Sequence, residues 1–247
     1  MTEPIAVVTG GTKGIGLAFS TRLVSLGYRV IACYWSDPES AGKAEADLGA
    51  RLHVRRTDLS DPGQTADLAE YVLNEHGAPR VLVNNAGFNA DRPFLEMTDQ
   101  EWRRTIDTNL SAPFWLTRAL APAMLAAGGG NVVNIGATTG MRPRLNGANY
   151  CASKAGLLQL TKCLALELAP TIRVNALIPG MIDTEELRTR LRLDDPERMR
   201  VEVTEAVPQR RIGSPDEVAD ALEFLIGPAA TYVNGQKLIV DGGQFMW

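Results

Sequence analysis

Hydrophobic and polar positions alternate along this chain in two rhythms. Short β-branched runs recur at Ile5–Thr9, Arg29–Tyr34, Leu52–Arg56, Val81–Asn84, Asn131–Ile135, Arg173–Ile178 and Leu238–Val240, and most intervals between them carry the longer spacing of a helix. That alternation predicts βαβ units and a parallel sheet, an α/β fold.

Helix starts are marked locally. Thr98-Asp99-Gln100-Glu101 and Ser214-Pro215-Asp216-Glu217 both read as capping boxes, the second with proline at the first helical position. One long stretch between strands, Thr184 to Gly213, lacks strand character; its charges nearly balance and its apolar residues are sparse. Two readings stand for 184–213: a substrate lid over a binding cleft, or a solvated helical excursion. No repeat or low-complexity linker interrupts the chain.

Composition narrows the partners. At 247 residues and 45% apolar content, the chain can bury a substantial core as one large α/β domain or two small ones. A net charge of −4 leaves no basic surplus to hold a nucleic-acid backbone or an anionic membrane, which favours small-molecule partners. Cys33, Cys151 and Cys163 include no C-x-x-C, and His53 and His76 stand alone, so neither a disulfide framework nor a zinc site is indicated. No apolar run approaches the ~18 residues of a membrane span. Strand character from Ile5 leaves no room for a signal peptide, so a cytoplasmic location is expected.

The first strand runs into Gly10-Gly11-Thr12-Lys13-Gly14-Ile15-Gly16 and an amphipathic helix through Leu26. Glycines at 10, 14 and 16 let the backbone turn tightly and let a pyrophosphate sit against the helix N-terminus, where free N–H groups and the dipole favour anions. Lys13 opposes that dipole unless an anion compensates it, and a phosphate does so. The end of the second strand separates the two nicotinamide dinucleotides, because an acid there binds the ribose 2′-hydroxyl and repels a 2′-phosphate. Spacing from the glycines nominates Asp37, yet the last strand position is Tyr34. With Trp35 next, Ser36 able to donate and Lys13 nearby, NADP(H) is the expected cofactor.

Glycines 10, 14 and 16, Asn84-Asn85-Ala86-Gly87, Asn109 in "DTNL", Tyr150-x-x-x-Lys154 and Pro179-Gly180-x-x-x-Thr184 follow one another at suitable separations. Together they resemble the short-chain dehydrogenase/reductase family across essentially the whole chain. Within it, "AGFNADRPFLEMTDQEWRRTIDTNL", "PGMIDTEEL" and "RRIGSPDEVADALEFL" look most like β-ketoacyl carrier-protein reductases and related ketoreductases. The resemblance implies a single doubly wound Rossmann domain over residues 1–247, with a seven-stranded, mainly parallel sheet, helices on both faces, and usually a homotetramer. It implies Asp58 and Leu59 near the adenine and Asn85, Ala86 and Gly87 along the ribose. Pro179 and Gly180 are implied in the same cofactor wall, with Ile182 and Thr184 near the carboxamide. Lys154 is implied to hold the nicotinamide ribose, and Asn109 to carry a water in the proton path.

The chemistry also follows from the residues. An i, i+4 spacing puts Tyr150 and Lys154 on one helical face, so an ammonium lies near the phenol. A phenol near pKa 10 carries protons poorly at neutral pH, and a neighbouring cation favours phenolate. Lowering its pKa by ~3 units corresponds to about 4 kcal/mol of differential stabilisation. Tyr150 then gives a proton to a carbonyl oxygen in reduction and removes it in reverse.

One part is absent. Thirteen residues before Tyr150, where the family carries a serine that hydrogen-bonds the substrate oxygen, this chain has Ala137. Removing such a donor costs on the order of 10²–10³ in rate, about 3–4 kcal/mol. Thr138 and Thr139 follow at once. If the chain curls after Ile135, Thr138 aims into the cleft as a replacement donor; if the pleat continues, it faces away from Ala137's side. Three readings stay open: an ordinary ketoreductase using Thr138; an altered site, for an iminium or activated enone or through an introduced inactivating change; and an NADP-binding sensor or scaffold without turnover. Tyr150, Lys154 and Asn109 weigh against the last.

Substrate clues are thinner. Docking an acidic carrier protein calls for cations at the cleft mouth, yet Met124 to Gly130 has none and Thr171 stands where an arginine is expected. A freely diffusing carbonyl substrate, or a carrier-protein or CoA tether on another face, both remain. Arg142 and Arg144 either meet a carboxylate or phosphopantetheine phosphate or lie idle on an exposed loop. Cys151 has no histidine or acid partner and reads as packing. Phe245-Met246-Trp247 is either a subunit contact or a tail folded on its own domain.

Overall fold

All seven apolar runs become strands of one sheet. β1 (Ile5–Thr9), β2 (Arg29–Tyr34), β3 (Leu52–Arg56), β4 (Val81–Asn84), β5 (Gly130–Ile135), β6 (Ile172–Pro179) and β7 (Lys237–Val240) lie in the order β3-β2-β1-β4-β5-β6-β7. Every neighbouring pair is parallel, so the sheet expected to be mainly parallel is wholly so. The computed structural model describes residues 3–246. Trp247, the last residue of the apolar ending, lies outside the described residues.

Helices cross over between the strands: α1 (Gly14–Ser25), α2 (Pro38–Leu48), α3 (Pro62–Glu75), α4 (Asp99–Ile106), α5 (Ala112–Ala126), α6 (Ala148–Glu167), α7 (Glu185–Leu191), α8 (Pro196–Met199) and α9 (Pro215–Ile226). Side-chain alternation along the strands feeds two cores. Ala6 and Val8 pack with Phe19 and Leu23 of α1 and Val218 and Leu222 of α9. Val7 points the other way, to Leu68 and Val72 of α3 and Leu116, Leu120 and Met124 of α5. Each fully buried aliphatic side chain contributes roughly 1.5–3 kcal/mol, which is why both faces of the sheet stay covered. Between β1 and β4 the strand order reverses, and a crevice opens there at the carboxyl ends of the strands.

The segment from Thr184 to Gly213 is helical, with α7, α8 and a π-helical turn over Arg200–Glu205. Most of its few larger apolar residues are not solvated, Val201 being the exposed one. Leu187, Leu193, Val203 and Val207 form a small core of their own, with Met181, Leu191, Met199 and Ile212 against it. A parallel bridge joins Ile182 to Gly213, and Gly213 N donates to Met181 O at 2.9 Å. The excursion therefore leaves and rejoins the sheet at one point. At the other end of the chain, Phe245 N donates to Asp241 Oδ2 at 2.8 Å and the Arg142 guanidinium lies 5.6 Å from the Phe245 ring centroid. Phe245 folds back on its own domain, while Met246 is exposed. Among the described residues no helix is long and apolar enough to cross a membrane.

Both capping boxes form. At α9, Arg211 forks onto Glu217 at 2.8 and 2.7 Å, and Glu217 accepts from Ser214 N at 2.8 Å. These bonds, Arg211's first, hold the Glu217 carboxyl down at about 2. Because the folded value lies below the ordinary one, this contribution to stability is complete above pH 4.5 and is lost as pH falls through about 2. Denaturant melts between pH 7 and pH 2 should show Glu217→Gln losing less stability on acidification than the parent chain; equal losses would mean the box and its arginine contribute nothing at low pH.

Candidate active site

Two turns hold each other at the crevice. Thr9 Oγ1 accepts from Asn85 N and Ala86 N, both at 2.9 Å, while Asn85 Nδ2 donates to Thr9 O at 2.9 Å and Gly10 O at 3.2 Å. Gly10 takes the left-handed conformation at φ 63°, and a Cβ on Gly16 would lie 2.0 Å from Gly10 O. Only glycine fits either place. Helix α1 then begins without a cap: Lys13 makes no capping bond and no acid occupies the first turn. By contrast α2, α3, α4, α7, α8 and α9 are capped by Asp37, Asp61, Thr98, Thr184, Asp195 and Ser214. The amides of Gly14, Ile15 and Gly16 are thus left as donors at a positive dipole end, an arrangement that fits a pyrophosphate.

Other expected cofactor residues surround this turn in different ways. Thr12 is buried under it. Thr184 stands across from it, since a Cβ on Gly14 would meet Thr184 Cγ2 at 3.4 Å. Ile182 is buried, Pro179 ends β6, and Gly180 packs so tightly on Asp241 that a Cβ would come within 2.5 Å. The Asn85 side chain is engaged with the β1 turn rather than offered to a ribose. Gly87 is better placed: its missing Cβ would lie 3.7 Å from Asn109 Oδ1 and 3.8 Å from Lys154 Nζ.

At the far end of the crevice Tyr34 closes β2, followed by Trp35, Ser36 and Asp37. Asp37 is the cap of α2, accepting from Ser40 N at 3.0 Å and Ser40 Oγ at 2.8 Å, with Lys13 Nζ 3.5 Å away. The Ser40 bonds above all hold its carboxyl below the usual range. Asp58 is likewise occupied, by Ser60 N at 3.0 Å and Ser60 Oγ at 2.6 Å, and Leu59 is buried beside it. Two arginines here escaped the sequence reading. Arg56, in register with Tyr34, lies 4.9 Å over the Trp35 ring and donates Nε to Trp35 O at 3.1 Å. Arg104 of α4 lies 5.8 Å from the same ring. Only strand register and helix docking bring them there, and neither leaves a local pattern.

Asn109, Tyr150 and Lys154 come together from two helical elements. A π-helical turn over Asp107–Ser111 joins α4 to α5 and turns Asn109 fully inward. Its Oδ1 accepts from Phe88 N at 2.7 Å, and its Nδ2 donates to Phe88 O at 2.9 Å and Ser153 Oγ at 3.0 Å. Both amide hydrogens are therefore engaged with protein. Tyr150 and Lys154 lie one turn apart on α6, with Lys154 Nζ donating to Ile135 O at 2.8 Å and standing 5.7 Å from the Tyr150 ring centroid. Burial pushes the Lys154 ammonium down to about 8. Burial also raises the Tyr150 phenol, and the cations that most oppose this are Arg144 and Arg190.

Sequence comparison identifies the family. The model of a family described as enoyl-(acyl carrier protein) reductase matches residues 10–244. The 3-oxoacyl-[acyl-carrier-protein] reductases of Salmonella typhimurium and Escherichia coli are each 38% identical over 244 residues, covering 98% of this chain and 97% of theirs. The chain belongs to the short-chain dehydrogenase/reductase family. An acetoacetyl-CoA reductase of Shinella zoogloeoides is 37% identical over 243 residues, 98% of each chain.

As a short-chain dehydrogenase/reductase, the chain departs from the pattern at Ala137. Strand β5 ends at Ile135, but Ala137 keeps extended backbone (φ −152°, ψ 153°) before a 3₁₀ turn over Thr138–Gly140. Extended backbone puts successive Cβ atoms on opposite faces, so Thr138 is turned away from the side Ala137 occupies. Thr139 Oγ1 is buried without a hydrogen-bond partner. The three cysteines are free, and among the described residues no group of three or more His, Cys, Asp or Glu is arranged to hold a metal.

Lys154 gives the site a pH signature. Its folded value of about 8 lies below the ordinary 10.5, so between these the unfolded chain binds more protons. Stability should therefore climb from pH 8 to pH 10.5, the penalty for burying the charge being complete below pH 8. Melts across that window should show the climb flattened in Lys154→Met; an unchanged climb would assign it elsewhere.

Proposed function

We propose that this protein is an NADP(H)-dependent oxidoreductase acting on a carbonyl group, with the β-keto position of an acyl thioester as the favoured substrate. The observation that carries this reading is Lys154 Nζ, set 5.7 Å from the Tyr150 ring centroid and, with Asn109 Oδ1, bordering the space that a Cβ on Gly87 would fill. The relatives' names, 3-oxoacyl-[acyl-carrier-protein] reductase and acetoacetyl-CoA reductase, support a 3-oxo group on a thioester. They leave carrier protein and CoA as alternative tethers.

NADP(H), when bound, supplies or accepts the hydride. The amides of Gly14, Ile15 and Gly16 hold its pyrophosphate, with Gly10 giving the close approach. Lys13, Ser36 and Arg56, around Tyr34 and Trp35, suit the 2′-phosphate. Engagement of Asp37 as the cap of α2, with Lys13 beside it, supports this choice over a 2′-hydroxyl, because the carboxylate is oriented toward Ser40. Ala86 and Gly87 line the ribose, and Lys154, with one donor on Ile135 O, has two left for ribose hydroxyls. Asp58 and Leu59 border the adenine, and Pro179, Gly180, Ile182 and Thr184 border the nicotinamide. Asn109 holds the Phe88 loop and, through Ser153, the first turn of α6; Ser153 Oγ donates to Tyr150 O at 2.8 Å.

Tyr150 transfers its hydroxyl proton to the substrate oxygen as negative charge develops there. With alanine at position 137, one hydrogen bond to that oxygen is missing, a loss of about 3–4 kcal/mol in the family's usual arrangement. The segment 184–213 serves as a lid, since Thr184 at its start faces Gly14 of the nucleotide turn, where a Cβ would meet Thr184 Cγ2 at 3.4 Å. Exposed Trp102, Phe114, Phe224 and Tyr232 suit the interfaces of a homotetramer, and a cytoplasmic location fits this reading. The alanine also favours a second reading, in which the electrophile is already activated, as an iminium or enone is.

Activity with acetoacetyl-CoA and NADPH tests the first reading. Tyr150→Phe should lower kcat at least about 10²-fold while the dinucleotide dissociation constant stays unchanged; full activity in that variant would remove the phenol from the mechanism. Ala137→Ser should raise kcat on the ketone by up to about 10²-fold. A gain confined to ketones supports the carbonyl reading, whereas an iminium turned over faster by the parent chain than by Ala137→Ser supports the second.

A further inference from the structure

We propose that Arg144 is a positioning residue for Tyr150, a cation fastened across the cleft mouth that sets the charge state of the phenol in a site lacking the usual serine. This rests on the reductase reading above. Arg144 is not the idle loop arginine that its sequence neighbourhood suggests. Its Nη2 donates to Asp91 Oδ1 at 2.6 Å and to Asn89 Oδ1 at 2.9 Å, joining the loop after β5 to the loop after β4. A second tie, Arg92 N to Asn146 O at 2.8 Å, runs between the same two loops.

The backbone is shaped to admit this side chain. A Cβ on Gly147 would lie 2.8 Å from Arg144 Nε and 2.9 Å from its Cγ, so any larger residue there would displace the guanidinium. Arg144 Nε is itself buried with no hydrogen-bond partner. The guanidinium stands 5.1 Å from the Tyr150 ring centroid, slightly closer than the 5.7 Å of Lys154 Nζ. Held by two acceptors and a glycine, it loses little by approaching an aromatic face.

Charges reach Tyr150 from every element packed around it. Lys154 lies on the same helix, Arg144 and Asp91 on the two loops, and Glu186 and Arg190 on α7. Among them Arg144 opposes the effect of burial most, and Arg190 next, while Glu186 and Asp91 reinforce it. Asp91 therefore has two effects: it fixes the arginine and offsets part of its charge. A serine hydroxyl assists at the substrate oxygen; a fixed cation assists one bond earlier, at the group that delivers the proton.

The test reads the phenol directly. Tyr150 is titrated in the full chain by NMR of ring-labelled tyrosine, assigned with Tyr150→Phe, alongside the pH profile of kcat with acetoacetyl-CoA and NADPH. Arg144→Met should raise the Tyr150 midpoint by about one pH unit or more, with Arg144→Lys recovering part of the shift. Asp91→Asn, which keeps the cation and removes its counter-charge, should move the midpoint down. The limb of the kcat profile that reports Tyr150 should move in step. An unmoved midpoint in Asp91→Asn, or in a folded Arg144→Met, overturns the proposal. Shifted midpoints in a chain without turnover support the role of Arg144 and sink the reductase reading alone.

Discussion

The lock between the β1 and β4 turns supports everything else in this site. Thr9 Oγ1 satisfies the amides of Asn85 and Ala86, and Asn85 Nδ2 returns two bonds to Thr9 O and Gly10 O. Because the strand order reverses at this pair, helices leave in opposite directions and a gap remains at their carboxyl ends. Four reciprocal bonds span that gap at its floor. They bring Gly10 against Gly16 and keep the first turn of α1 open on one side, with Gly87, Asn109 and Lys154 on the other.

A second polar frame runs beneath the reaction centre. Asn84 Nδ2 donates to Asn134 Oδ1 at 2.8 Å, Asn134 Nδ2 to Thr161 Oγ1 at 2.9 Å, and Thr161 Oγ1 to Leu157 O at 2.8 Å. Buried polar chains of this kind are costly when incomplete and rigidifying when satisfied. This one connects β4 to β5 and β5 to α6, the helix that carries Tyr150 and Lys154. Asn109 adds a further tie from the π-helical turn to Ser153 on the same helix. The helix that carries Tyr150 is consequently fixed from several directions.

The surroundings of Tyr150 differ from what a tyrosine–lysine pair suggests by itself. Burial acts against charge on both groups, raising the phenol and lowering the ammonium. Arginines from a loop and from α7 supply the opposing field. A site without a hydroxyl at position 137 is thus not stripped of electrostatic support. The support comes from side chains whose positions depend on loop closure.

Much of this was legible in the residues. Seven strands, both capping boxes and the glycine turn all depend on local steric and hydrogen-bonding preferences, and these appear as spacing along the chain. Which side a hydroxyl faces is another matter: Ala137 stays extended two residues after β5 ends, and the chain then enters a 3₁₀ turn at Thr138. Spacing from the glycines nominates Asp37 as a ribose acceptor, and the start of α2 at Pro38 makes it a helix cap, a role the spacing did not announce. Arg56, Arg104 and Arg144 acquire meaning from partners 21 to 69 positions away. The charges and the strands are written in order along the chain, but the field at Tyr150 is a sum over distances that exist only after the sheet has closed.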